Sequence, residues 1–98
     1  MYARLVHLQL QPEKIDELIY QFETVILPNI RSQAGWKSGK LLVDRQLGKA
    51  IIFGVWESEA ALATTGLGTP FAQQQQMILQ PFLIAAPTLE HYELASEA

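Results

Sequence analysis

Three features of this 98-residue sequence predict an α+β fold, a four-stranded antiparallel sheet with both helices packed on one face. The apolar period alternates between two and 3.6 residues in the order strand, helix, strand, strand, helix, strand. Right-handed crossovers through that order give a ferredoxin-like sandwich. The run Ala50–Trp56 holds only apolar residues and glycine, so neither of its faces suits water.

The opening segment MYARLVHLQL alternates as a strand, with Tyr2, Arg4, Val6, Leu8 and Leu10 on one face and Ala3, Leu5, His7 and Gln9 on the other. Pro12 suits a first helical turn, and Glu13, Asp16 and Glu17 suit its positive end. Ile15, Leu18, Ile19, Phe22, Val25 and Ile26 then keep the helical period, giving an amphipathic helix of about four turns. Pro28 is expected to end or kink it, with Gly35 as the natural stop.

WKSGKLLVDR and AIIFGVWE flank a turn containing Gly48, a hairpin with strands near Trp36–Arg45 and Lys49–Trp56. Ser58 is a good N-cap for a short helix through about Thr65, which Gly66, Gly68 and Pro70 break. A second helical stretch, from about Pro70 to Ile84, offers Phe71, Ile78, Leu79 and Phe82 to the core, with Pro81 marking a kink or an early end. Its four glutamines, Gln73–Gln76, read as a polar face. Pro87 opens a final strand in which Leu89, His91 and Glu93 alternate with Glu90, Tyr92 and Leu94.

Composition sets the context. The length suits one domain over residues 1–98. Charged residues make up 17% of the chain, below the roughly 25% of an average soluble domain. So few charges, together with the Ala50–Trp56 run, predict that the open sheet face meets a second copy of the chain, a homodimer. The net charge of −3 and the scattered basic residues speak against nucleic acid as a partner. The absence of cysteine excludes disulfides, thiolate nucleophiles and sulfur-ligated metals. No N-terminal signal pattern and no apolar run of about 18 residues is present, so no membrane partner and a cytoplasmic location are expected.

Several kinds of chemistry have no support. Gly66 and Gly68 do not continue into a dinucleotide fingerprint, no phosphate-binding P-loop exists, and Ser38 stands one residue too far from Gly35 for a nucleophile elbow. His7 and His91 share no carboxylate at a ligand spacing, so no metal is expected. What remains is a candidate pocket between sheet and helices. If the faces carrying His7 and Trp56 both look toward the helices, His7, Trp56 and the space left by Gly54 line it, and Gln74 or Gln75 closes it. Each has a plainer role: His7 and Trp56 as core or rim residues, Trp36 and Tyr92 as packing, His91 at an edge or interface.

The segments MYARL…HLQLQPEKIDEL, LPNIRSQAGW, LLVDRQLGKAIIFGVWESEAAL and PTLEHYEL carry a resemblance to the antibiotic-biosynthesis-monooxygenase-type (ABM) domain. The resemblance implies a dimeric α+β barrel, two ferredoxin-like subunits meeting sheet to sheet, each with its own pocket. Some members of that family oxidise aromatic phenols or quinols with O₂ and no cofactor; others degrade haem or have no assigned activity. The haem-degrading branch is similar at Trp56, in VWES, but has an asparagine where His7 stands and an iron-ligating histidine where Gln75 follows Phe71. An amide is a poor substitute for imidazole on iron. The resemblance therefore implies a cofactor-free monooxygenase acting on a small aromatic phenol or quinol, with His7 as candidate base, Trp56 as stacking wall and N–H donor, Gly54 as the source of space and Gln75 as a polar orienter. Two alternatives stand beside it. One is a non-catalytic dimeric module that binds a small molecule or serves in stress. The other is an isomerase, which needs a second acid or base facing His7.

Overall fold

Strands β1 (Tyr2–Gln9), β2 (Trp36–Asp44), β3 (Lys49–Trp56) and β4 (Thr88–Glu93) form one antiparallel sheet in the order β2-β3-β1-β4. The structure is a computed structural model and describes residues 1–98. Helices α1 (Ile15–Gln21), α2 (Leu27–Arg31), α3 (Glu59–Ala63) and α4 (Pro70–Leu79) all cover one face, as the ferredoxin-like expectation requires. No helix is long and apolar enough to cross a membrane.

The β1–β3 register decides what each face carries. Tyr2 pairs with Trp56, Arg4 with Gly54, Val6 with Ile52 and Leu8 with Ala50, and paired residues share a face. That face packs on the helices, where Leu8, Leu10, Ala50, Ile52 and Trp56 join Leu18, Phe22 and Ile26 in the core. His7 pairs with Ile51 and Thr88 and lies on the opposite face with Leu5, Phe53 and Val55. The condition that His7 and Trp56 both look toward the helices is therefore not met. Alternation separated the two sets of β1 residues correctly. The register puts the set holding Val6, Leu8 and Leu10 inward, because it buries more apolar area than Ala3 and Leu5.

Of the two outcomes expected at Pro28, the helix does not end there but carries a distortion just ahead of it and runs on to Arg31. A 3₁₀ turn (Pro12–Lys14) leads into α1, which loosens into π geometry over Phe22–Ile26 and returns to α geometry in α2. Proline has no N–H for the fourth residue back, and its ring crowds that carbonyl. Just ahead of Pro28 the N–H of Leu27 reaches back to the carbonyl of Phe22, and this wider turn takes up the misfit. It also holds Phe22, Ile26 and Ile30, spaced by four, on one buried face.

The shorter elements follow local chemistry. The Ser58 hydroxyl accepts the N–H of Ala61, capping α3, and Thr69 accepts the N–H of Ala72, capping α4. α4 stops at Leu79 and Pro81 sits in a following 3₁₀ turn, the early end expected there. In the hairpin turn Asp44 accepts the N–H groups of Gln46 and Leu47, and Gly48 has φ +68°. A Cβ at Gly48 would lie 2.0 Å from the carbonyl oxygen of Leu10. Gly48→Ala combines a left-handed backbone with that clash and is expected to cost on the order of 3 kcal/mol, read as a lowered midpoint in urea denaturation. A midpoint equal to that of wild type would show that the turn is not held as described.

Candidate functional site

Behind the sheet, under α2 and α4, lies a cavity of about 550 Å³, within the usual range of small-molecule sites. Two successive cross-strand rows contribute Trp36, Trp56, Gly39, Gly54 and Arg4 to its floor. In one, Trp36 of β2 pairs with Trp56 of β3, and Trp56 with Tyr2 of β1. In the next, Gly39 pairs with Gly54, Gly54 with Arg4, and Arg4 with His91 of β4. Each glycine makes room for an indole. A Cβ on Gly54 would come within 2.7 Å of the Trp56 ring, and one on Gly39 within 3.1 Å of the Trp36 ring. A bulge between Trp36 and Ser38 brings Gly39 into step with Gly54. The space that Gly54 leaves, expected to serve a ligand, is taken by the Trp56 indole.

The walls are mostly apolar, from Phe22, Ile26, Phe71 and Leu79 among others. Four buried polar atoms have no hydrogen-bond partner: Nε1 of Trp36, Nε1 of Trp56, and both Nε2 and Oε1 of Gln75. All belong to residues that line this cavity. Native proteins leave few such groups orphaned, and three donors with one acceptor around a void describe a surface shaped for a polar ligand. Of the two glutamines considered from sequence, Gln75 lines the cavity, along with Gln76, while Gln74 is exposed.

Arg4 is the site residue that sequence reasoning passed over. It is 7% exposed, its guanidinium lies 5.1 Å from the centroid of the Trp56 ring, and it is the only ionisable residue in the cavity wall. Nη1 donates to the carbonyl and hydroxyl oxygens of Thr65 at 3.1 and 2.9 Å, and Nη2 donates to the Leu62 carbonyl at 3.0 Å. These carbonyls lie at the C-terminal end of α3, so the guanidinium fastens that helix to the sheet. Nε donates to Nε2 of His91 at 3.1 Å, which requires that nitrogen to be unprotonated. Burial and then the Arg4 charge hold the His91 imidazole below its usual range, and burial pushes the Arg4 guanidinium down from its own. No carboxylate pairs with Arg4. A positively charged residue in an apolar strand, flanked by Ala3 and Leu5, was the available signal.

His7 stands outside this cavity. On the open face its Nε2 meets the Glu90 carboxylate, whose other oxygen accepts the Tyr92 hydroxyl at 2.8 Å. The Tyr92 hydroxyl, then His7, hold the Glu90 carboxyl below its ordinary range, and Glu90 raises the Tyr92 phenol. No group of three or more His, Asp or Glu side chains is placed to hold a metal.

The architecture has close counterparts. The ActVA-Orf6 monooxygenase of Streptomyces coelicolor, solved with nanaomycin D, superposes with a TM-score of 0.82 at 17% identity over 99% of this chain and 89% of that one. A candidate antibiotic biosynthesis monooxygenase from Deinococcus radiodurans gives a TM-score of 0.76 at 24% identity over 100% of this chain and 95% of that one. The chain therefore has the fold of ABM-type domains. No family model matches the sequence. In sequence it is 32% identical over 97 residues to the uncharacterized protein Rv2557 of Mycobacterium tuberculosis, and it spans 42% of that protein's length.

The Gly54–Trp56 contact makes a direct test. Gly54→Ala is expected to displace the indole, lowering stability by about 1–3 kcal/mol in urea and shifting tryptophan emission. Unchanged emission and stability would mean that the ring is not pinned over the glycine.

Proposed function

We propose that this chain is an ABM-type monooxygenase that uses O₂ without a resident cofactor to oxidise a small aromatic phenol or quinol held between sheet and helices. The observation that carries this reading is the set of four unpartnered polar atoms on Trp36, Trp56 and Gln75 around an otherwise apolar cavity. Flat indole faces suit an aromatic ring, and their N–H groups suit its oxygens. The likeness in fold to a named monooxygenase supports the choice of reaction class.

An ionised phenol is electron-rich enough to reduce O₂ itself. A C–O bond forms at the ring carbon para to the oxygen and the O–O bond breaks. One oxygen atom stays as the second quinone carbonyl, and the other leaves as water with the two hydrogens the phenol gives up. The protein's residues bind, orient and exclude water. With a panel of mono-, di- and tricyclic phenols, purified protein should consume one O₂ for each quinone formed, and Trp56→Phe, which lacks the N–H, should lower the rate by roughly tenfold or more. His7→Ala measured beside it decides the role of the imidazole: equal rates remove it from the mechanism. Binding without O₂ uptake across the panel would favour the non-catalytic module.

We further propose that the open sheet face closes against a second copy of the chain. Leu5, Ile51 and Phe53 form a half-buried apolar strip on that face, and Leu42 stands 50% exposed beside it. Lys40 and Glu90 occupy opposite ends of one cross-strand row, with Phe53 and Leu5 between them. A copy rotated about an axis along the strands brings lysine to glutamate, so the face complements itself. Light scattering at micromolar concentration should give twice 11.0 kDa or a higher even multiple. A persistent single-chain species would overturn the pairing.

A further inference from the structure

We infer that Arg4 makes the cavity selective for an aromatic anion, a ligand whose ring oxygen is already ionised, over its neutral ether or protonated form. The inference rests on the cavity being the ligand site, as proposed above, but not on any reaction taking place there.

Charge supports this. Among the residues that line the cavity Arg4 alone is ionisable, so the wall carries one positive charge in a protein of net charge −3. The guanidinium keeps its proton in proteins, so burial cannot neutralise it. A buried cation is normally paired with an anion. Here the groups facing it are His91 from β4, Gly54 from β3, the indole of Trp56, and oxygens of Leu62 and Thr65 at the end of α3. None carries a negative charge. The carbonyls and hydroxyl fix the guanidinium's position, and the missing countercharge remains to be supplied from the cavity.

The hydrogen-bond inventory agrees in sign. The unpartnered atoms offer the donors Trp36 Nε1, Trp56 Nε1 and Gln75 Nε2 against one acceptor, Gln75 Oε1. A donor-rich wall around a cation favours a ligand rich in acceptor oxygens. The two indoles pack close against glycines in the cavity floor, so the ring of that ligand has aromatic side chains to meet.

A matched pair of probes tests the inference: 2-hydroxy-1,4-naphthoquinone, which ionises well below neutral pH, and its neutral 2-methoxy ether, both followed by equilibrium dialysis. At neutral pH wild type should bind the hydroxy compound roughly tenfold or more tighter than the ether. Its affinity should fall as the pH drops through the probe's own ionisation, while the ether's stays level. Protonation of His91 as the pH drops adds positive charge beside the cavity and would tighten binding of the anion, so it cannot produce the expected fall. In Arg4→Gln the preference should shrink to within about twofold, and Arg4→Lys should keep part of it.

Equal or tighter binding of the ether by wild type overturns the inference, and so does binding of neither probe or a full preference in folded Arg4→Gln. Should Arg4→Gln fail to fold, having lost its hold on α3, the wild-type pair and its pH profile decide alone. Anion preference without O₂ uptake by any phenol would remove the oxygenase reading and leave this one standing. O₂ uptake without the preference would do the reverse.

Discussion

The antiparallel register of β1 against β3 is the constraint from which the site follows. Side chains alternate faces along a strand, so a slip of one residue would carry Arg4, Val6 and Leu8 out of the interior and bring Ala3, Leu5 and His7 in. The observed pairing places Arg4 beside Gly54 and Tyr2 beside Trp56, and so sets a cation next to the one gap in the central strand. The inward set is also the one with more apolar area to bury, so the hydrophobic effect that builds the core positions the cation as well. A buried arginine is the consequence. It becomes tolerable because the end of α3 arrives with oriented carbonyls to meet it.

The same economy appears in the paired glycines. Gly39 and Gly54 are cross-strand neighbours, and so are Trp36 and Trp56 in the next row. Without side chains beneath them, two indoles lie across the sheet and still leave a cavity above. Any larger residue at either glycine would lift an indole into that cavity. Two positions of no intrinsic chemistry therefore control the shape of the site, and Trp36, read as packing, joins Trp56 in supplying half of its unpartnered polar atoms.

Element order, the hairpin and the Ser58 N-cap were legible because each depends on short-range spacing, whereas the Thr69 cap of α4 lay in a stretch read only as a break. The π-helical stretch before Pro28 was not, since proline's local cost only shows that something must give, and tertiary packing of Phe22, Ile26 and Ile30 decides that the helix continues. The candidate site was legible in part. Trp56, Gly54 and Gln75 do line one cavity, although the Ala50–Trp56 run is apolar on both sides and does not itself show which face turns inward. His7 was grouped with them by assuming how two faces align, and alternation within a strand contains no information about which face a partner strand shares. Arg4 escaped notice for a related reason: an arginine on a strand edge and an arginine beneath a helix look the same until register is known.

These placements bear on how a phenol could lose its proton. Neither indoles, an amide nor a guanidinium is a proton acceptor near neutral pH, and the cavity wall offers no imidazole or carboxylate. Charge can do part of the work usually given to a base. An oxyanion held about 4 Å from a guanidinium gains about 4 kcal/mol at an effective dielectric constant of about 20. That corresponds to roughly three pKa units, enough to bring an ordinary phenol from about 10 to about 7. For a substrate of the proposed class, solvent water would then exchange the proton during binding, and the bound species would be the phenolate. On this argument the cation on β1 makes a dedicated base unnecessary, and the imidazole of His7 is free to belong to the Glu90 and Tyr92 cluster on the opposite face.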